Sequence, residues 1–261
     1  MNQASMRAEH APVPAPSRRD WAAVVAALLV LSALAWAVMV GHTRMAGMAM
    51  APAAPRSLAL EALGFLGAWT AMMAAMMFPS VYPMVALFAA VSRHRRGQGA
   101  LAVPTWIFVT GYLLAWAGFG ALVFGGDRIA RAWPAAADLL AARGGLLAGL
   151  VLLAAGLYQW SPLKYVCLRH CRSPIGFILH DWREGPGGAL RMGVHHGAYC
   201  VGCCWALMAV QVALGVMNLP LMLAVAALIF LEKITRFGEI IARAAGAVFL
   251  LAGLLLLLRP A

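Results

Sequence analysis

Seven long apolar runs punctuate this 261-residue chain, at 21–41, 58–91, 103–125, 146–160, 198–217, 219–231 and 240–258. A helix that crosses about 30 Å of hydrocarbon needs roughly 20 such residues. The blocks are solid rather than alternating, which is the pattern of membrane helices and not of a membrane barrel. Hydrophobic residues make up 64% of the chain and charged residues only 11%, so a soluble domain of this size could not cover its apolar side chains. The mean hydropathy of +0.83 agrees. The expected fold is all-α, a polytopic membrane helix bundle of about seven transmembrane helices. The second run is overlong, and the fourth can begin as early as Asp138. The sixth is short and only Asn218 separates it from the fifth, so six is the alternative count.

Residues 1–20 are polar and rich in Pro, Ala and Arg, and read as a disordered cytoplasmic tail. The first apolar run is too long for the core of a signal peptide and reads as a retained anchor. Residues 21–261 then form one transmembrane domain with a Cys/His-rich cytoplasmic loop at 161–197. Loop charge sets the orientation. Arg7, Arg18 and Arg19 lie in the tail, Arg93, Arg95 and Arg96 in the second loop, Lys164, Arg169, Arg172, Arg183 and Arg191 in the fourth, and Lys233 and Arg236 in the sixth. The intervening loops carry little charge, and the positive-inside rule puts the N-terminus in the cytoplasm of a multi-pass protein of the bacterial inner membrane. The net charge of +11 is thereby a consequence of topology. No basic platform interleaved with aromatic residues accompanies it, which argues against nucleic acid as a partner and leaves the lipid bilayer. Glu232 and Arg236, like Glu239 and Arg243, stand four apart in the favourable order and are expected to pair along a charged turn. Gly145 and Gly149 read as ordinary helix packing.

All five cysteines fall between positions 167 and 204, a grouping that core packing alone does not produce. Cys167-Leu-Arg-His170-Cys171 puts both sulfurs on one face if helical. In His195-His196-Gly-Ala-Tyr-Cys200-Val-Gly-Cys203-Cys204, a helix would align Cys200, Cys204, Met208 and Gln211, with Cys203 beside them. His196 extends that face if the helix starts early enough, and His195 points away. Thiolates at two- and three-residue spacings are what metal sites use. A reducing cytoplasm and an odd cysteine count both argue against structural disulfides.

A second soft cluster lies in the second apolar run, Trp69-Thr-Ala-Met72-Met73-Ala-Ala-Met76-Met77-Phe78-Pro79. Met72 stacks on Met76 and Met73 on Met77 at helical spacing. Thioethers and thiolates both suit Cu(I), although methionine also fills apolar cores. Pro79 and Pro83 remove two helical hydrogen bonds, and the freed carbonyls should face a neighbour or a cavity. The first loop adds His42, Met45, Met48 and Met50, which read equally as soft ligands or as a flexible linker.

These motifs carry a family resemblance. The Trp69–Pro79 run, Tyr158-Gln-Trp-Ser-Pro-Leu-Lys164 with Cys167 and Cys171-Arg-Ser-Pro174, and Gly193-Val-His-His-Gly-Ala-Tyr-Cys200-Val-Gly-Cys-Cys-Trp-Ala-Leu-Met208 resemble three signatures of a bacterial family. That family is catalogued as predicted metal-binding integral membrane proteins, was long a domain of unknown function, and includes copper chaperones associated with bacterial tyrosinases. The resemblance implies Met72, Met73, Met76, Met77, Cys167, Cys171, Cys200, Cys203 and Cys204 as metal residues. His170, His195 and His196 join the candidates from their position among the cysteines. The resulting expectation is a non-enzymatic copper chaperone or metalloenzyme assembly factor. It would hold copper as Cu(I), with zinc the alternative ion, and pass it by ligand exchange to a copper-enzyme recipient. A metal ion transporter is the first alternative, although intramembrane charges and inverted repeats, the usual marks of one, are not evident. A membrane thiol-disulfide redox protein is the second, since Cys200 and Cys203 have the spacing of redox pairs.

Overall fold

The computed structural model describes residues 18–48, 57–101, 103–133, 144–215 and 218–258. Every regular element among them is a helix. In chain order these are α1 Arg18–Met48, α2 Leu58–Gly97, α3 Thr105–Ala132, α4 Gly144–Gln159, α5 Pro162–Arg172, α6 Pro174–Asp181, α7 Gly185–Leu214, α8 Leu219–Ile234 and α9 Gly238–Leu258. The seven apolar runs form the bodies of α1 to α4 and α7 to α9. By length and composition, α1, α2, α3, α7 and α9 could each cross a membrane. α4 and α5, bent by 64° at the break between them, make a sixth span if taken together. α8 has 16 residues, about 24 Å at 1.5 Å per residue, which is short of a typical hydrocarbon slab. Of the expected tail, residues 1–17 and their charge lie outside the described residues, whereas Arg18, Arg19 and Asp20 already belong to α1. Asp138 also lies outside them.

The fourth loop departs most from expectation, because most of 161–197 is helix. Ser161 caps α5 by accepting from the Lys164 N–H at 3.2 Å, with Pro162 in the first turn. Proline fits there because its missing N–H has no helical partner at that position. α6 and α7 also open with a proline. α7 therefore begins well before position 198, and His195 and His196 lie within it. Arg191, the two histidines and several glycines hide this extension from hydropathy. Packing holds it instead. A Cβ on Gly193 would lie 2.1 Å from the Phe108 carbonyl oxygen, and one on Gly111 would lie 2.2 Å from that of Leu190, so the α3 and α7 backbones touch. Only glycine permits that approach. Of the Gly145 and Gly149 pair, only Gly149 sits at a close contact among the described residues, against Leu257 and Gly253 of α9.

α2 is the spine, and at 40 residues it is about 60 Å long. Pro79 deprives the Ala75 carbonyl of its helical donor, and two groups of α1 replace it. Ser32 Oγ donates to that oxygen at 2.7 Å and Trp36 Nε1 at 3.1 Å. The expected proline defect is thus the docking point for α1. Leucines such as Leu34, Leu122, Leu223 and Leu255 face outward, while Met39, Met72, Met73, Met76, Met77, Met84, Met208 and Met222 are buried in the interior. That distribution, an apolar shell around a sulfur-rich centre, is compatible with helices that cross a membrane.

Candidate metal centre

Three cysteines converge where α5 meets α7. The Sγ atoms of Cys171, Cys200 and Cys203 all lie within 4.8 Å of one another. Cys171 is 3.7 Å from Cys203, and Cys203 is 3.3 Å from Cys204. Cys200, Cys203 and Cys204 are buried, Cys171 is half-buried, and all five cysteines are free thiols. Helical geometry explains the arrangement. Cys200, Cys203 and Cys204 fall on adjacent positions of one α7 face. Cys171, in the last turn of α5, crosses over them because the break after Gln159 turns α5 back onto α7. Gly202 makes that approach tight, since a Cβ there would stand 2.7 Å from the Cys167 sulfur. Cys167 itself packs at this contact and lies outside the trio.

Around the sulfurs is a set of buried polar side chains that the sequence did not single out. Lys233 Nζ of α8 donates to Cys200 Sγ at 2.9 Å, and the Tyr112 hydroxyl of α3 lies 3.0 Å from the same sulfur. Thiolate is the form that ligates metal, and a buried ammonium in contact with it is its natural counter-charge. One residue earlier, Glu232 accepts from Lys164 Nζ at 2.7 Å and from Gln159 Nε2 at 3.1 Å, with both ion-pair side chains almost wholly buried. The expected pairing along the α8–α9 turn is corrected for Glu232. Glu232 turns inward to Lys164 rather than to Arg236. Glu239 pairs with Arg169 at 3.1 Å, and Arg243 donates to the Tyr165 hydroxyl at 2.9 Å. The protein interior is likewise not empty of ionisable groups, since Lys164, Glu232 and Lys233 are all buried. Position along a helix cannot reveal a partner 68 residues away. The signal that was available is a lone Glu-Lys pair ending a 16-residue apolar helix, which needs partners if buried.

The other expected ligands are distributed unevenly. His196 is buried one turn before Cys200, ringed by Phe108, Tyr112 and Phe177, and its Nδ1 has no hydrogen-bond partner among the described residues. His195 points away, as the helical phase predicts, and lies 3.1 Å from Asp181. His170 stacks on Tyr199 at 4.2 Å with Nδ1 2.9 Å from the Val166 oxygen, so neither surface histidine joins the sulfurs. Met72, Met73, Met76 and Met77 are fully buried. Met72 is tied to the α7 face that carries the cysteines, because Gln211 Nε2 lies 3.5 Å from its sulfur. Met50 and the side chains of His42, Met45 and Met48 lie outside the described residues. Three clustered thiols, two buried and one half-buried, fit a soft cation far better than Ca2+ or Mg2+, which take oxygen ligands.

A family model described as PpoB2, copper chaperone, matches residues 66–256. That span contains all five cysteines, the α2 methionines, Tyr112 and Lys233. No curated protein and no solved structure matches the chain.

Proposed function

This chain belongs to the PpoB2 family of copper chaperones, and on that premise we propose that it is an inner-membrane protein that binds Cu(I) and hands it to a copper enzyme. The family is one of chaperones rather than enzymes, so the chemistry to account for is binding and exchange. The observation that carries the proposal is the trio of Cys171, Cys200 and Cys203 within mutual reach of one small ion. Cu(I) is content with two or three soft ligands and exchanges them readily. A recipient's thiolate or imidazole can therefore displace one chain sulfur at a time without the ion ever becoming bare. Cys204, against Cys203, and Cys167, on the other turn of α5, supply stepping positions for that exchange. His196 provides an inner nitrogen, and Met72, Met73, Met76 and Met77 provide thioethers deeper in the bundle. His170 and His195 stand at the surface, outside the holding set.

In this reading α8 completes seven passes, the N-terminus is cytoplasmic, and the trio lies toward the cytoplasmic end. The ion pair between Arg95 and Glu184 supports that parity, because it brings the second and fourth loops to one side. The test is anaerobic purification with elemental analysis. The wild-type protein should carry stoichiometric copper, and serine at positions 171, 200 and 203 should remove it. Unchanged copper content in that triple variant would refute the proposal.

A second reading, passage of the ion across the bilayer, is favoured by one feature. The buried face of Cys200, Cys204, Met208 and Gln211 runs on to Met72. Copper flux into sealed vesicles, lost on replacing Met72 and Met76 by Leu, would select it over the chaperone.

A further inference from the structure

The thiols alone do not choose an ion. Cys204 adds a fourth sulfur 3.3 Å from Cys203, beside the trio, and clustered cysteine thiolates also hold structural zinc. Something else must discriminate, and one group is placed to do it. We infer that Lys233 biases this cluster toward a monovalent ion over a divalent one. The inference rests on the reading of the trio as a soft-metal site and names what makes that site selective.

The argument is electrostatic. Lys233 is 92% buried, counting from its 8% exposure, and its ammonium touches Cys200 Sγ at 2.9 Å. Its neighbour Glu232 cannot serve as its counter-ion, because that carboxylate is already held by Lys164 and Gln159. The anion Lys233 faces is therefore the sulfur cluster. Any cation bound among those sulfurs sits beside a fixed positive charge in a poorly screened interior. Repulsion at a given distance is proportional to charge, so the ammonium opposes a dication twice as strongly as a monocation. The sulfurs attract both. The lysine subtracts more from the divalent ion. Tyr112, which touches the same sulfur but carries no charge, offers a contact of the same kind without this effect.

The experiment measures Cu(I) and Co(II) affinity on the full chain in detergent, by competition against chelators. Co(II) is followed by its thiolate charge-transfer absorption. Lys233→Met and Lys233→Gln should each move the Cu(I)/Co(II) affinity ratio at least tenfold toward cobalt. Lys233→Arg, which keeps the charge, and Tyr112→Phe, which removes only the neutral contact, should leave the ratio within about threefold. Two neutral variants guard against one that fails to fold, and a ratio cancels losses common to both ions. If Lys233→Met and Lys233→Gln weaken both ions equally, the lysine is merely structural and the inference falls, while the chaperone reading stands. An equal shift in Tyr112→Phe would also overturn it, because the effect would then come from the lost contact. A wild-type chain that binds no Cu(I) would remove both.

Discussion

Lys164 has no exposed surface, and its ammonium is 2.7 Å from a Glu232 carboxylate that is itself almost wholly buried. Pairing two charges in a dry interior contributes little net stability, but removing one partner leaves the other unpaired, at a cost of about 3–5 kcal/mol. Lys164→Met should therefore lower thermal stability in detergent strongly. Adding Glu232→Gln should recover most of the loss, because the neutral amide needs no counter-charge. Equal instability in the single and double variants would mean that the pair is not the cause. This pair shows what residue-level reading of the sequence missed. Lys164 was counted among the loop cations and Glu232 among the turn acids, each by its local surroundings. Cys171, Cys200 and Cys203, in contrast, were legible in advance, because residue type and helical spacing announce soft-ligand chemistry without reference to a partner.

At the level of elements, the centre depends on how closely α5 lies against α7. Gly202 sets that distance, with the Cys167 sulfur occupying the space a side chain would need. Gly202→Val should force α5 outward and carry Cys171 away from Cys200 and Cys203. Copper affinity should fall at least tenfold while the thiols remain chemically intact. The smaller Gly202→Ala should be rescued by Cys167→Ala, which removes the obstructing sulfur, and Cys167→Ala alone should keep its copper. Chelator competition on the four variants decides the matter, and loss of copper in Cys167→Ala alone would move that cysteine from the exchange path into the holding set. Here the sequence was partly legible. Helical spacing put Cys167 and Cys171 on one face, but the start of α5 at Ser161-Pro162 was taken as loop, and the 64° turn that brings its last residue onto α7 has no signature of its own.

Considered as a whole, the molecule joins its parts through the site. Cys171 comes from α5, Cys200 and Cys203 from α7, Lys233 from α8 and Tyr112 from α3. An ion that binds only the assembled arrangement stabilises it by mass action, about 4 kcal/mol at a thousandfold excess over the dissociation constant. Cu(I) should raise the unfolding temperature of the wild-type protein and a Cu(I) chelator should reverse the rise. Cys171→Ser should abolish most of it. An undiminished shift in that variant would place the copper elsewhere in the bundle.

The sequence by itself determined the helical class, the position of the apolar runs, the phase that buries His196 and exposes His195, and the soft character of the chemistry. All of these follow from hydropathy, periodicity and side-chain type within a single segment. Tertiary structure decided which sulfurs meet, that α7 begins before its apolar run, that the Pro79 defect receives Ser32 and Trp36, and that a lysine faces the thiols. These depend on close approach between segments far apart in the chain. Glycine contacts, a helix break and buried charge pairs govern that approach, and none of them leaves a periodic trace in the sequence.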